Sequence, residues 1–379
     1  MKNRNAKGGG SVRQREDGKW EARCTINGKR RSFYGNRQSD VLKAMRAAQS
    51  AADVGAFIEP SKMTIEQWVT AWLEEYIKPS SKPLTYSAYK SKVDNHIIPH
   101  LGKMRLTTLN PTQVQAFYND LLREKNLSPK SIKDVHGILH RAIEQAVELR
   151  YIPYNCTNAC KTPRIVKKEI EPFDDISVEA FLTAIQGHRY QDIFTVTLFT
   201  GIREGEACGL PWDAVDFRNG TITIKQQLCK EKVKGGKHYI DTPKHDKVRI
   251  LTAPSFVMDI LREVKAKQLQ NHINCIGNWQ NEHNLVFTDE FGKYTVPSTL
   301  HKHFKIIARQ IGKPNARFHD LRHTYAVTAL QEGDDAKTVQ QNLGHATAAF
   351  TLNVYGHVSE KMKKDSADRM ERYYQRVKS

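Results

Sequence analysis

The chain has 379 residues, and its 59 Lys and Arg against 41 Asp and Glu give a formal net charge of +18. That length suggests two or three domains, and the charge favours a polyanionic partner, nucleic acid or an anionic membrane surface. No apolar run approaches the ~18 residues that span a bilayer, MKNRNAKGGGS lacks the apolar stretch of a secretory signal, and six scattered cysteines without a C-x-x-C pair read as reduced thiols of a cytoplasmic protein.

Residues 1–59 read as a small β meander followed by a helix. Ser11–Arg15, Trp20–Ile26 and Lys29–Tyr34 are short runs separated by Asp17-Gly18 and Asn27-Gly28, dipeptides that favour type I′ hairpin turns. Trp20, Ala22, Cys24 and Ile26 alternate with Glu21, Arg23 and Thr25, giving one apolar and one polar face. Ser39 is the expected cap of a helix ending near Gly55, with Val41, Leu42, Met45 and Ala48 on one stripe. This segment holds 13 basic and 6 acidic residues. Arg13, Arg15, Arg23, Lys29, Arg30 and Arg31 decorate the sheet, and a narrow basic sheet can enter a DNA major groove.

Residues 60–162 read as all helix. Thr64 with Gln67 forms a capping box. Thr85 is the expected start of a helix stopped by Pro99 and Gly102. Asn110-Pro111 with Gln113, and Ser128-Pro129, each place a cap ahead of proline at the first helical position. The apolar stripes that follow are core, and exposed lysines between them are free to meet phosphates. Tyr151–Lys168, with two prolines, reads as a linker. The third domain, 163–379, mixes helices (Val178–Ile185, Ile193–Thr200, Ser255–Leu269, Leu300–Ile311, 320–331, 336–343, 359–377) with strands at Thr221–Gln227 and Lys247–Leu251.

Four stretches of that third domain carry chemistry: Thr200-Gly201-Ile202-Arg203-Glu204-Gly205-Glu206; Pro243-Lys244; Arg317-Phe318-His319-Asp320-Leu321-Arg322-His323; and Leu343-Gly344-His345, with Tyr355 ten residues further on. Each alone is weak. An Arg-x-x-Glu is usually a helix-surface ion pair, and a tyrosine near a chain end is usually packing. Together they fit one task. His319 and Arg322 share a helix face, two arginines can clamp one phosphodiester, a tyrosine can be a nucleophile, and lysine or histidine can move protons.

In this ordered set of motifs the chain resembles the tyrosine recombinase (phage integrase) family. Asn95-His96-Ile97-Ile98-Pro99-His100-Leu101-Gly102 resembles that family's helical core-binding domain, and residues 10–55 resemble the arm-type DNA-binding domain of integrases from conjugative transposons. The resemblance implies a multidomain, mainly α fold with small β-sheets. Its parts are a three-stranded sheet plus helix, a helical core-binding domain and a mixed α/β catalytic domain with a tail helix. It makes Tyr355 the nucleophile of a covalent 3′-phosphotyrosyl intermediate. Arg203 and Arg322 hold the phosphate, His319 and His345 assist, Glu206 orients Arg203, and Lys244 is the general acid, with Lys247 as its alternative. No metal and no cofactor is implied. The implied partners are double-stranded DNA at core-type and arm-type sites, further copies of the chain in a tetramer on two duplexes, and DNA-bending accessory or excision proteins. No membrane partner is expected.

Two rivals stand beside this. His319, His323 and His345 could ligate zinc, but Asp320 replaces the glutamate of H-E-x-x-H and Arg322 would sit beside the cation. A non-enzymatic DNA-binding regulator explains the charge and the first two domains, yet leaves the five chemical residues unused.

Overall fold

The computed structural model describes residues 10–53, 62–166, 171–231, 236–275, 277–344, 347 and 360–378. It divides into two compact units, one ending at Val166 and the other starting at Lys167.

The first unit holds two separate cores. Strands β1 (Ser11–Gln14), β2 (Trp20–Ile26) and β3 (Lys29–Gly35) form an antiparallel sheet in that order, backed by α1 (Gln38–Asp53). Ala22, Cys24 and Ile26 meet Val41 and Met45 in the small core. Asn27 and Gly28 both take positive φ, as a type I′ turn requires. The other turn differs from expectation. Gly18 alone is left-handed and its N–H donates to Arg15 O at 3.0 Å, so Asp17-Gly18 closes a type I turn with an αL glycine. Ser39 lies inside α1 rather than capping it.

Register divides five of the six basic residues expected on the sheet. Arg13 opposes Glu21, Arg23 opposes Ser32, and Arg30 opposes Thr25, all with the parity of the face away from α1. Lys29 opposes Ile26 and Arg31 opposes Cys24, which gives them the parity of the helix-backed face. Glu21 is buried between two guanidinium groups, accepting from Arg13 Nε at 2.8 Å and Arg23 Nε at 2.7 Å. Arg15 stacks over the Tyr34 ring.

The second core is helical. Both expected capping boxes form: Thr64 with Gln67 opens α2 (Ile65–Trp72), and Asn110 with Gln113 opens α5 (Pro111–Arg123). Ser128 caps α6 (Pro129–Glu148). Trp68 donates its indole N–H to Ala142 O at 2.7 Å, tying α2 to α6. Between them, α3 (Pro83–Lys92), capped at Lys82 rather than opened at Thr85, continues through a π-turn at Val93–Ile97 into α4 (Ile98–Leu101). Pro99 therefore does not stop the helix. The π-turn resets the hydrogen-bond register, and Pro99 falls in the first turn of the next helical piece, where no N–H is needed. The expected linker is packed in its first half: Ile152 and Cys156 join the helical core.

In the second unit α7 (Asp175–Ala184), α8 (Gln191–Thr200), α10 (Ser255–Asn274), α11 (Pro297–Gln310) and α12 (Phe318–Gln331) enclose a core centred on Phe181, Phe194, Phe304 and Phe318. The short helix α9 (Glu204–Cys208) follows α8. Strands β4 (Val215–Asp216), β5 (Thr221–Ile224) and β8 (Arg249–Thr252) make one sheet, and β6 (Gln227–Lys230) with β7 (His238–Asp241) make a hairpin. The expected strand Thr221–Gln227 is broken after Ile224. The chain there crosses Gly209, whose absent Cβ would lie 2.5 Å from Leu228 N, and Gln226 bonds Gly209 O. A smaller cluster joins α12 to α13 (Ala336–Leu343) through Ala326, Val327, Leu330, Val339 and Leu343. The tail helix α14 (Glu360–Lys378) leaves Met370, Tyr373, Tyr374 and Val377 all exposed. Among the described residues no helix is long and apolar enough to cross a membrane.

Candidate active site

The site begins at the end of α8. Gly201 closes that helix with φ +65°, and a Cβ there would lie 2.4 Å from Tyr325 Cδ1 and 2.7 Å from Leu343 Cδ2. Only glycine fits both the left-handed backbone and the contact. The turn buries Ile202 and delivers Arg203 as the N-cap of α9. Glu206, three residues into that helix, is fully buried. It accepts from Arg203 N at 2.8 Å and from Arg203 Nη1 at 2.7 Å.

A second arginine shares this carboxylate. Arg249, the first residue of β8, donates Nη1 to Glu206 Oε1 at 3.0 Å and Nη2 to Oε2 at 2.6 Å, a two-point pair. Burial alone would push the Glu206 carboxyl upward. The hydrogen bonds and charge of Arg249, then of Arg203, outweigh it and hold the pKa at about 2. Sequence reading missed Arg249. No sequence signal marks it: Val248 and Ile250 make the opposite parity look apolar, although in β8 Arg249 and Leu251 share the core side while Val248 and Ile250 are exposed.

The end of α13 gathers the cations. Three successive carbonyls each accept from one arginine: Asn342 O from Arg249 Nε at 2.7 Å, Leu343 O from Arg322 Nη2 at 2.5 Å, and Gly344 O from Arg203 Nη2 at 3.4 Å. The negative end of the helix dipole favours this placement. Arg322 is buried and also donates Nη1 to Gly201 O at 2.7 Å. Arg203 is the more open of the expected pair, its side chain 23% exposed.

His319 and Arg322 both rise from α12, as expected. The His319 and His323 rings meet edge-on, 4.7 Å between centroids. His319 keeps an edge open to solvent. The protein packed around it, then the charges of His323, Arg322, Arg203 and Arg317, still depress its pKa. Burial, opposed by Asp320 and aided by Arg317 and Arg322, lowers His323 to about 4. Both rings are therefore neutral at pH 7. Asp320 is committed to the start of α12, accepting from Arg317 N and Nη2 at 2.8 Å each, so it is not placed as a free base for bound metal. Glu204 has a different surrounding: burial pushes its carboxyl up to about 7, and its Oε1 has no hydrogen-bond partner among the described residues.

Lys244 lies in a short 3₁₀ turn, Lys244–Asp246, that leads through Lys247 into β8. Both lysines are exposed. His345 and Tyr355 lie outside the described residues. The structure thus brings Arg203, Glu206 and Arg322 together around the end of α13, one residue before His345, with His319 beside Arg322 on α12.

The sequence matches the model of the phage integrase family over residues 172–362, half of the chain, and that of the phage integrase N-terminal SAM-like domain over 64–122. Similar proteins include a tyrosine recombinase XerC-like protein of Caldanaerobacter subterraneus subsp. tengcongensis, 29% identical over 90% of this chain and 92% of the relative. The ICEBs1 integrase of Bacillus subtilis is 24% identical over 77% and 78% of the two chains. Among solved structures, a Tn1549 transposon integrase in complex with circular intermediate DNA superposes with a TM-score of 0.69 at 21% identity, covering 82% of this chain and all of that one. A lambda integrase tetramer bound to a Holliday junction gives 0.58 at 14%, covering 92% and 96%. The chain belongs to the phage integrase family of tyrosine recombinases, enzymes that cleave and rejoin DNA strands.

Proposed function

We propose that this chain is the site-specific integrase of a mobile element, cutting and rejoining DNA for its integration and excision through a 3′-phosphotyrosyl intermediate on Tyr355. The convergence of Arg203 and Arg322 on the adjacent carbonyls of Leu343 and Gly344 carries this reading. It gathers two guanidinium groups at Leu343 and Gly344, the residues that precede His345 in the sequence. Tyr355 gives its phenolic proton to His319 or His345 as its oxygen attacks the scissile phosphorus. A new P–O bond forms to the tyrosine, the bond to the 5′-oxygen breaks, and Lys244 gives that oxygen its proton. Arg203 and Arg322 stabilise the added charge on the nonbridging oxygens, while His319 and His345 hydrogen-bond them.

The magnitudes fit. A free phenoxide at pH 7 costs roughly 4 kcal/mol for a group titrating near 10. Each preorganised donor on the developing charge supplies about 3–4 kcal/mol. One phosphoester replaces another, so no nucleotide cofactor is needed. Residues 1–59 would grip arm-type sites and 60–162 core-type sites, and four copies would assemble on two duplexes in the cytoplasm, with DNA-bending or excision proteins setting direction.

The test is to incubate the protein with a randomised library of nicked duplexes and isolate DNA that stays bound after denaturation. A recombinase leaves covalent protein–DNA complexes enriched in one sequence. A regulator built on the same scaffold leaves none.

A further inference from the structure

Glu206 serves two arginines, and it serves them unequally. Arg249 meets it at two points, Nη1 to Oε1 and Nη2 to Oε2, whereas Arg203 reaches it with one Nη and its backbone N–H. Arg249 is also the more buried, its side chain 8% exposed against 23% for Arg203. A two-point pair holds the negative charge of the carboxylate closest to Arg249. Taken with Arg203 alone, Glu206 would cancel the charge of the arginine it orients. Taken with both, the trio keeps one net positive charge, on its exposed side.

We infer that Arg249 is a positioning residue that neutralises Glu206, so that Glu206 aims Arg203 without cancelling the charge Arg203 brings to the scissile phosphate. The inference rests on the recombinase reading above. It assigns Arg249 a role through Arg203, not through contact with DNA. The same side chain braces the site physically: its Nε holds Asn342 O, and a Cβ on Gly344 would lie 3.0 Å from its Cδ. A purely structural brace and a charge-compensating residue differ in what they do to chemistry. The second matters only while Glu206 is charged, and only while the phosphate carries a charge to be met.

The experiment is a double-mutant cycle on single-turnover cleavage, using the nicked duplex recovered with the wild-type protein. Arg249→Gln should cut about 100-fold more slowly than wild type, the loss typical of one electrostatic donor. Adding Glu206→Gln to Arg249→Gln should recover about tenfold, because the uncompensated carboxylate is gone. In the Glu206→Gln background, removing Arg249 should cost under about threefold. A methylphosphonate at the scissile position, which removes the nonbridging charge, should shrink the wild-type to Arg249→Gln ratio to below about tenfold. Equal ratios on both phosphates, or a double variant no faster than Arg249→Gln, would overturn the inference. Should Arg249→Gln fail to fold, as a circular-dichroism melt would show, the comparison of Glu206→Gln with the double variant decides alone. A further loss of tenfold or more there refutes charge compensation. A wild-type protein that forms no covalent complex on any duplex sinks the recombinase reading itself.

Discussion

Gly201 and Tyr325 are so close that any β-carbon on the glycine would sit 2.4 Å from the tyrosine ring. That contact locks the end of α8 against α12, and both site arginines depend on it: Arg203 follows Gly201 by two residues, and Arg322 donates to Gly201 O. Gly201→Ala should therefore lose stability from the left-handed backbone and from the overlap, roughly 2–4 kcal/mol in sum. Urea denaturation measures it. A loss under about 1 kcal/mol would show that α8 and α12 adjust freely.

Glu204 should make the protein more stable in mild acid than its neighbours suggest. Its folded pKa, about 7, lies above the ordinary value of 4.5. The folded state therefore holds this proton more tightly than the unfolded chain does. The stabilising contribution is complete below about pH 4.5 and lost as pH rises through 7. Glu204→Gln should raise the melting midpoint at pH 8, by an amount corresponding to about 1–3 kcal/mol, and barely move it at pH 4.5. Equal shifts at both pH values would contradict the burial of this carboxyl.

Glu21 holds Arg13 and Arg23 in fixed positions on the open face of the N-terminal sheet. Arg23 first, then Arg13 against the opposing effect of burial, keeps its carboxyl at about 2, so the clamp is charged throughout the neutral range. Glu21→Gln frees two cations and removes one negative charge. Binding to random duplex should hold or rise, while preference for the proposed arm-type site over random DNA falls. Unchanged preference in a competition titration would mean that these arginines do not read sequence.

Much of this was legible beforehand because local chemistry decided it. Thr64 with Gln67, and Asn110 with Gln113, satisfy their own helix ends, so their sequence signal survives any tertiary context. Trp20–Ile26 alternates cleanly because one face meets α1 and the other does not. The misses share a cause in distant contacts. Pro99 reads as a stop unless the π-turn before it is known. Cys156 reads as linker unless the helical core it joins is known. Arg249 reads as one more surface cation unless Glu206, 43 residues earlier, is placed beside it.

The tail helix presents Met370, Tyr373, Tyr374 and Val377 to solvent, each at least half exposed. An apolar stripe of this size on a lone helix calls for another surface to cover it, and a second copy of the chain would supply one in a tetramer. Deleting residues 359–379 should leave the fold and DNA binding intact while synaptic complexes form poorly. Full recombination with a normal tetramer yield would eliminate that exchange; loss of folding would place the stripe against its own domain.

The central claim is that Tyr355 makes the covalent bond. The direct measurement is mass spectrometry of the peptide that stays attached to DNA after denaturation and nuclease digestion, run in parallel on Tyr355→Phe. The expected result is a nucleotide-bearing peptide modified at Tyr355 from the wild-type protein, and no adduct from a Tyr355→Phe protein that still binds the duplex. A modification on any other residue, or an adduct from Tyr355→Phe at wild-type yield, would contradict it.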